Sequence, residues 1–304
     1  MANSYSGFLL TLAAAVDDAQ KALVAPNNLI KTVKKDLRPT PAAQYSSVNV
    51  NIPSSTFTVT NLTSGSLTVS DVTSTPVVVS LDKHPSTGFD LPDYDTMRMM
   101  DAQMARDLFV DEAIKRMLEA INGYIAALIT AGNFSQVVTG GSADVMTYAE
   151  FLEAWETLAT AKVPIRDAPN MHLMMHPKVF RYTFAQDDFI KASSVGDQIA
   201  TLNRTTGAFA RTMGIQPEYD LDMPLAAGVY TSLIYHRDAM VLVARSMQAE
   251  NALGVEQVIA FYDGIPIRIS IGYNQLAFKK VITFDALCGV KVIRGTFGCR
   301  HTST

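Results

Sequence analysis

Only two of the 304 residues are cysteine, Cys288 and Cys299, too few for a disulfide framework. Charge is also scarce: Asp, Glu, Lys and Arg make up 18% of the chain, against about 25% in an ordinary soluble domain. Such a chain has less charge than its own surface should need, so much of that surface is expected to be covered by partners. The net charge of -4 excludes a binder that holds nucleic acid by bulk positive charge. No apolar run approaches the roughly 18 residues of a membrane span, so no membrane partner is expected. The apolar run at 6–16 has no Lys or Arg before it and Asp17-Asp18 after it, unlike a signal sequence, and the cytosol is the simplest compartment. No nucleotide-binding glycine motif and no internal repeat occur; Gly140-Gly141-Ser142 is too short and ill-placed to cradle a phosphate.

The most unusual absence is local. From 39 to 70 there is no charged residue at all. Ser, Thr, Asn and β-branched residues fill the stretch, alternating at Val48, Val50 and Ile52 and again at Phe57 and Val59. Thr63-Ser64-Gly65 marks a turn, and Val77, Val78, Val79 and Leu81 complete an apolar strand. This pattern predicts an extended β-hairpin over 45–84. A strand edge without a guard charge is an aggregation hazard in a monomer. The hazard disappears if a neighbouring chain occupies the edge.

The next stretch organises the rest. Residues 93–134 read as one long helix, with Asp93 or Asp95 to cap its start and Gly132-Asn133 to end it. About 36 residues give a rod of roughly 54 Å. Its apolar residues fall in two rows, Met97, Met104, Leu118 and Ile125, then Met100, Ile114, Ile121 and Leu128. Asp107 and Asp111 interrupt the seam, which argues for a spine lying on a sheet or on another subunit rather than a continuous coiled coil.

Around these two elements the reading is conventional. Residues 6–24 predict a short amphipathic helix with Phe8, Leu12, Val16, Ala19 and Leu23 on one stripe. A basic segment with Lys31, Lys34, Lys35 and Arg38 follows, read as a solvated arm rather than a core element, with phosphate contact as the alternative. Thr147-Tyr148-Ala149-Glu150 is a capping box opening a helix whose buried face carries Phe151, Trp155 and Leu158. Met171–Met175 predicts a strand, His176-Pro177 a short helix to about Phe184, and 186–212 a loop-rich stretch. Strands are expected at 229–235 and 240–244. A type I′ hairpin at Asp263-Gly264 joins 257–262 to 265–273, with Ile265, Ile267, Ile269 and Ile271 on one face and Arg268 and Ser270 on the other. Strands at 277–283 and 290–294 close the chain.

A search for chemistry assigns no catalytic, cofactor-binding or metal-binding residue. His172 and His176 are four apart but lack the glutamate of a metalloprotease helix, and strand histidines explain them. Asp107 and Asp111 have helical spacing for acid–base work, yet Arg106 and Lys115 nearby make ion pairing the simpler reading. Cys288 sits in an apolar strand without a basic neighbour, as a packed thiol would.

In their order, the pieces resemble the major capsid protein of a tailed bacteriophage, the family named for phage Hong Kong 97. The resemblance is carried by Leu67-Thr68-Val69-Ser70-Asp71-Val72, by Val77-Val78-Val79-Ser80-Leu81-Asp82-Lys83-His84, by Gly88-Phe89 ahead of the acidic spine start, and by Gly289-Val290-Lys291-Val292-Ile293-Arg294. It covers 45–134 and 229–300 best. It implies an α+β capsid fold with an N-terminal arm at 1–44, an extended loop at 45–92, a peripheral domain with the spine helix at 93–143 and 233–304, and an axial domain at 144–232. It further implies self-assembly into pentamers and hexamers of an icosahedral shell around double-stranded DNA, in a virion built in the host bacterial cytoplasm. The partners would be a portal and scaffolding or decoration proteins. Members that crosslink covalently use a lysine on the extended loop; none lies between Pro39 and Asp82, which implies a non-covalent shell. Three alternatives stand beside this: an encapsulin-type compartment shell, an enzyme with a site in 144–232, and an adhesive β-protein built on 45–84.

Overall fold

A computed structural model describes residues 28–37, 47–54, 73–92, 110–141, 145–186, 213–226, 228–247 and 255–303. Of the long rod, the described part is a helix, α2, at Asp111–Ala126. Of the expected rows, Ile114, Leu118, Ile121 and Ile125 are buried; Met117, outside those rows, is buried with them, while Leu128 lies past the helix end and is only partly buried. The opposite face is held by ion pairs, with Arg116 reaching Glu112 at 2.9 Å and Glu119 at 3.1 Å. The helix stops at Ala126, short of the expected stop at Gly132-Asn133. Asn133 does terminate the segment, but from a distance: its side-chain amide donates to the Leu128 carbonyl at 2.9 Å, so the backbone turns earlier and Phe134 enters the core. The expected half from 93 to 109, with Met97, Met100, Met104 and Asp107, lies outside the described residues.

Beneath α2 lies a four-stranded antiparallel sheet. Its order is β11 (Val255–Tyr262), β12 (Ile265–Asn274), β13 (Lys279–Asp285) and β4 (Ser86–Pro92). Asp263 and Gly264 both take positive φ, +47° and +79°, as the type I′ turn requires. Ile265, Ile267, Ile269 and Ile271 are buried in the same core as the α2 stripe. Period-2 alternation therefore picks the correct face of this sheet. Strand β13 begins two residues later than expected, because the Asn274 side chain closes a turn over 274–277.

A three-stranded sheet sets β10 (Met240–Arg245) between β14 (Leu287–Val292) and β1 (Lys34–Asp36). Strand β1 runs parallel to β10, the short helix α1 (Asn28–Thr32) before it buries Leu29 and Ile30, and Val33 is buried between the two. The expectation of a solvated arm does not hold for 28–37. A five-residue helix and a three-residue strand are too short to show a period, and the charges of Lys34 and Lys35 point outward to Asp238 and Asp263.

The second core belongs to a sheet ordered β5 (Val137–Gly140), β15 (Gly298–Ser303), β9 (Val229–His236), β6 (Met171–Met175) and β7 (Gln216–Tyr219), with β8 (Leu225–Ala226) beside β9. Helix α3 (Tyr148–Thr160) buries Phe151, Ala154 and Leu158 against it, while Trp155 is only partly buried. Helix α4 (Pro177–Phe184) follows β6 as expected. Strand β15 was not expected: its buried positions are Gly298, Cys299, His301 and Ser303, which give no apolar alternation.

The hairpin is present at its base. Strand β2 (Ser47–Ser54) pairs with β3 (Thr73–Ser80) from Ser47↔Ser80 to Ser54↔Thr73; the expected features at 57–69 lie outside the described residues. This base is fastened to the body. Val79 packs with Val241 and Val243, with Val48 and Val50 against them. Lys291 Nζ donates to the Val78 carbonyl at 2.8 Å. Gly289 makes the approach possible, since a Cβ there would collide with the Ser80 carbonyl oxygen. Gly289→Ala is therefore expected to cost about 1–3 kcal/mol through the forced backbone shift. Thermal melting would measure the loss, and amide exchange should localise it to 77–80.

Candidate assembly interface

A buried polar clamp ties the start of the described chain to the rest. The Asp220 carboxylate accepts N–H bonds from Asn28 at 2.9 Å, Leu29 at 3.2 Å and Asp222 at 2.9 Å, and from the Asn122 side chain at 2.8 Å. Asn122 itself sits on α2, and its Oδ1 accepts from the Ile30 amide at 3.3 Å. Burial raises the Asp220 pKa above its ordinary value, and the Asp222 charge adds to this, while the N–H bonds from Asp222, Leu29 and Asn122 oppose it. Thr32 and Tyr235 close the network with a hydroxyl–hydroxyl bond. One cluster thus joins α1, α2 and the segment after β7.

A second cluster sits under α3. The capping box is formed as expected, with Thr147 Oγ1 accepting from the Glu150 amide and Glu150 Oε2 accepting from the Thr147 amide at 2.8 Å. Glu150 also accepts from the Gly141 amide at 3.1 Å and from His301 Nε2 at 3.0 Å. His301 is fully buried, and a Cβ at Gly140 would lie 2.7 Å from its Nε2. Burial holds the His301 pKa below 6.5, outweighing the pull of Glu150, so the neutral ring donates to the carboxylate. Burial works against Glu150 ionisation, yet the amide and imidazole bonds together hold its pKa below the ordinary value. The unfolded chain therefore takes up the histidine proton first on acidification. Stability from the neutral ring is complete above 6.5 and is lost as pH falls through the lower folded value. The melting temperature should fall between pH 7 and pH 5, and His301→Gln should flatten that slope. An unchanged slope in the variant would rule out His301 as its source.

The candidates from the sequence do not converge. His172 Nδ1 stands 3.8 Å from Glu218 Oε1. His176 instead caps α4, accepting from the Lys178 amide at 3.1 Å, and its ring stacks on Tyr230 at 4.3 Å. Asp111 opens α2, and its nearby Lys115 pairs with Glu112 at 3.8 Å; Asp107 is outside the described residues. Cys288 and Cys299 are buried, with thiols pushed by burial up to about 12 and about 11. Among the described residues no three His, Cys, Asp or Glu side chains gather as a metal would require, and no helix there is long and apolar enough to cross a membrane. Sequence reading missed both clusters because their members are far apart in the chain and carry no local motif beyond the capping box.

What the surface offers is apolar area. Met213, Tyr219, Leu221 and Leu225 are exposed around β7 and β8. Tyr273, Leu276 and Phe278 are exposed at the β12–β13 end of the other sheet. Exposed apolar groups clustered in this way mark interaction surfaces more often than isolated ones do.

No family model matches the chain, and no curated protein does. Solved structures do. A chain from Mycobacterium phage Che8 aligns with a TM-score of 0.63 at 15% identity, over 90% of each chain. The capsid structure of the cyanophage P-SCSP1u aligns at 0.61 and 12% identity, over 90% of this chain and 86% of that one. The holo-SrpI encapsulin complex from Synechococcus elongatus aligns at 0.53 and 14% identity, over 92% and 88%. The fold is the Hong Kong 97-type capsid fold.

Proposed function

We propose that the chain is the structural major capsid protein of a tailed bacteriophage. It assembles with itself into the pentamers and hexamers of an icosahedral shell enclosing double-stranded DNA. The observation that carries this is the mutual cover: nine-tenths of the chain matches a phage capsid chain of which 86% is matched in return. A structural role also fits His172 and His176, which sit with different partners, Glu218 for the first and the Lys178 amide and Tyr230 ring for the second.

Within this reading the sequence divides the labour, with one amendment. The arm comprises the residues ahead of Asn28, while 28–37 belongs to the body, where β1 extends the β10 sheet. The loop at 45–92 lies over a neighbour, with its base held by Val79 and Gly289 so that the rest can reach outward. The peripheral domain takes 93–143 and 233–304, and the axial domain 144–232 gathers around the symmetry axes with its exposed Tyr219, Leu221 and Leu225. A portal and scaffolding or decoration proteins are the further partners, and the virion, formed in the host bacterial cytoplasm, is the location. The mild negative net charge suits an interior along which packaged DNA must slide, because affinity grows with each phosphate neutralised. Lys34 and Lys35 are already engaged by Asp238 and Asp263, which removes two of the four candidate phosphate contacts.

The encapsulin match supports a second reading, a compartment shell around a protein cargo. Negative-stain microscopy of the expressed chain tests for shells, and nuclease treatment of particles recovered from infected cells separates the two. Phage-type shells formed in infected cells should protect DNA, whereas a compartment shell should hold protein alone; a chain that stays solitary at high concentration refutes both. The shell should also be non-covalent, so particles boiled in detergent should run as a single 33.0 kDa band. A ladder of linked subunits would contradict this.

A further inference from the structure

We infer that the turn joining β12 to β13 is a contact element for a second copy of this chain, seating an apolar knob in a hollow at the same end of the partner's sheet. The inference rests on the shell reading above and adds the residues of one contact. The turn is braced by its own atoms: Asn274 Oδ1 accepts from the Leu276 amide at 3.1 Å and the Ala277 amide at 3.3 Å. It holds out Leu276, 97% exposed, and Phe278, 68% exposed. Phe278 sits at φ +49°, a left-handed backbone that bulky residues rarely adopt. Backbone strain of this kind is retained where a side chain must be presented. A loop tip in water would ordinarily be polar; this one combines the cost of exposure with the cost of conformation.

The occupant follows from the surroundings of the tip. Residues 273–278 carry no charge, and Lys279 at their edge is paired with Asp90 at 2.6 Å. Two such tips can approach without like-charge repulsion, and a phosphate would find no free cation in the turn itself. Beside the tip lies a shallow, open hollow of about 540 Å³, lined by Val255, Gly272, Tyr273 and Val281 together with the turn residues Asn274, Gln275 and Leu276. Its origin is in the register. Gly272 stands directly between Val255 on one side and Val281 on the other, so no side chain fills the space between the two valines. Knob and hollow thus occur together on one sheet end. A patch that carries both halves of a contact is self-complementary, and copies related by a rotation can each give and receive it.

The test uses the full chain. Leu276→Asp and Phe278→Asp place a charge in the proposed contact without removing a buried group, so melting should stay at the wild-type temperature. Particle yield by size exclusion and negative stain should fall about tenfold or more, the effect of losing one favourable apolar contact per copy. Wild-type yield from both variants would overturn the inference while leaving the shell reading intact. A wild-type chain that makes no particles would instead defeat the shell reading, and a second measurement then decides the contact alone. Chains carrying Leu276→Cys are mixed with chains carrying Val281→Cys and oxidised. The native thiols, Cys288 and Cys299, are buried and do not compete. A disulfide-linked heterodimer is the expected product, and its absence would overturn the contact.

Discussion

The fold depends on the packing of one aliphatic stripe on another. Ile114, Ile121 and Ile125 of the spine helix share a core with Ile265, Ile267, Ile269 and Ile271 of the terminal hairpin. Burying each such side chain is worth about 1.5–3 kcal/mol, and the row is continuous, so it sets the position of the helix relative to the sheet. The remaining elements attach to this unit. The segment at 28–33 reaches it through Leu29 and Ile30, while β10 and β14 supply Leu242, Ala244 and Cys288 to the same core. A rigid centre of this kind lets the peripheral elements be specialised for contact without endangering the fold.

Legibility in the sequence follows from whether a signal is local. The Ile row, the Asp263-Gly264 turn, the Thr147–Glu150 capping box and the Met171–Met175 strand were all readable, because alternation and turn chemistry act within a few residues. Strand β15 was not readable, since its inward positions are small or polar and owe their burial to β9 and β5 on either side. The short elements at 28–36 read as an arm in the sequence for a related reason. Their burial comes from Asp220 and Asn122, about 190 and 90 residues further along. The β12–β13 tip is only partly legible, because the strand expected at 277–283 takes in Phe278, whose apolar side chain looks like a core residue. The clue was that Asn274 opens the stretch, a residue that closes turns by bonding its own backbone.

The scarcity of charge takes on a meaning in the proposed shell. Several of the charges are engaged within the subunit: Arg245 with Asp36, Arg268 with Asp285, Glu150 with His301 and Asp220 with four N–H donors. These pairs are partly or fully buried, and they orient elements more than they add net stability. Charge spent on internal alignment is not available to solvate the surface. The exposed apolar groups near Leu221 and Leu276 are the counterpart of that allocation.

This allocation suits a repeated assembly better than a single tight complex. A shell contact that is strong in isolation would trap misplaced subunits, whereas modest contacts repeated around each subunit can be broken and remade during growth. Their combined effect still exceeds any one of them, because each contact after the first forms at high effective concentration. The hairpin base shows the same logic at the scale of one chain. Val79, Gly289 and Lys291 hold it firmly where it leaves the body.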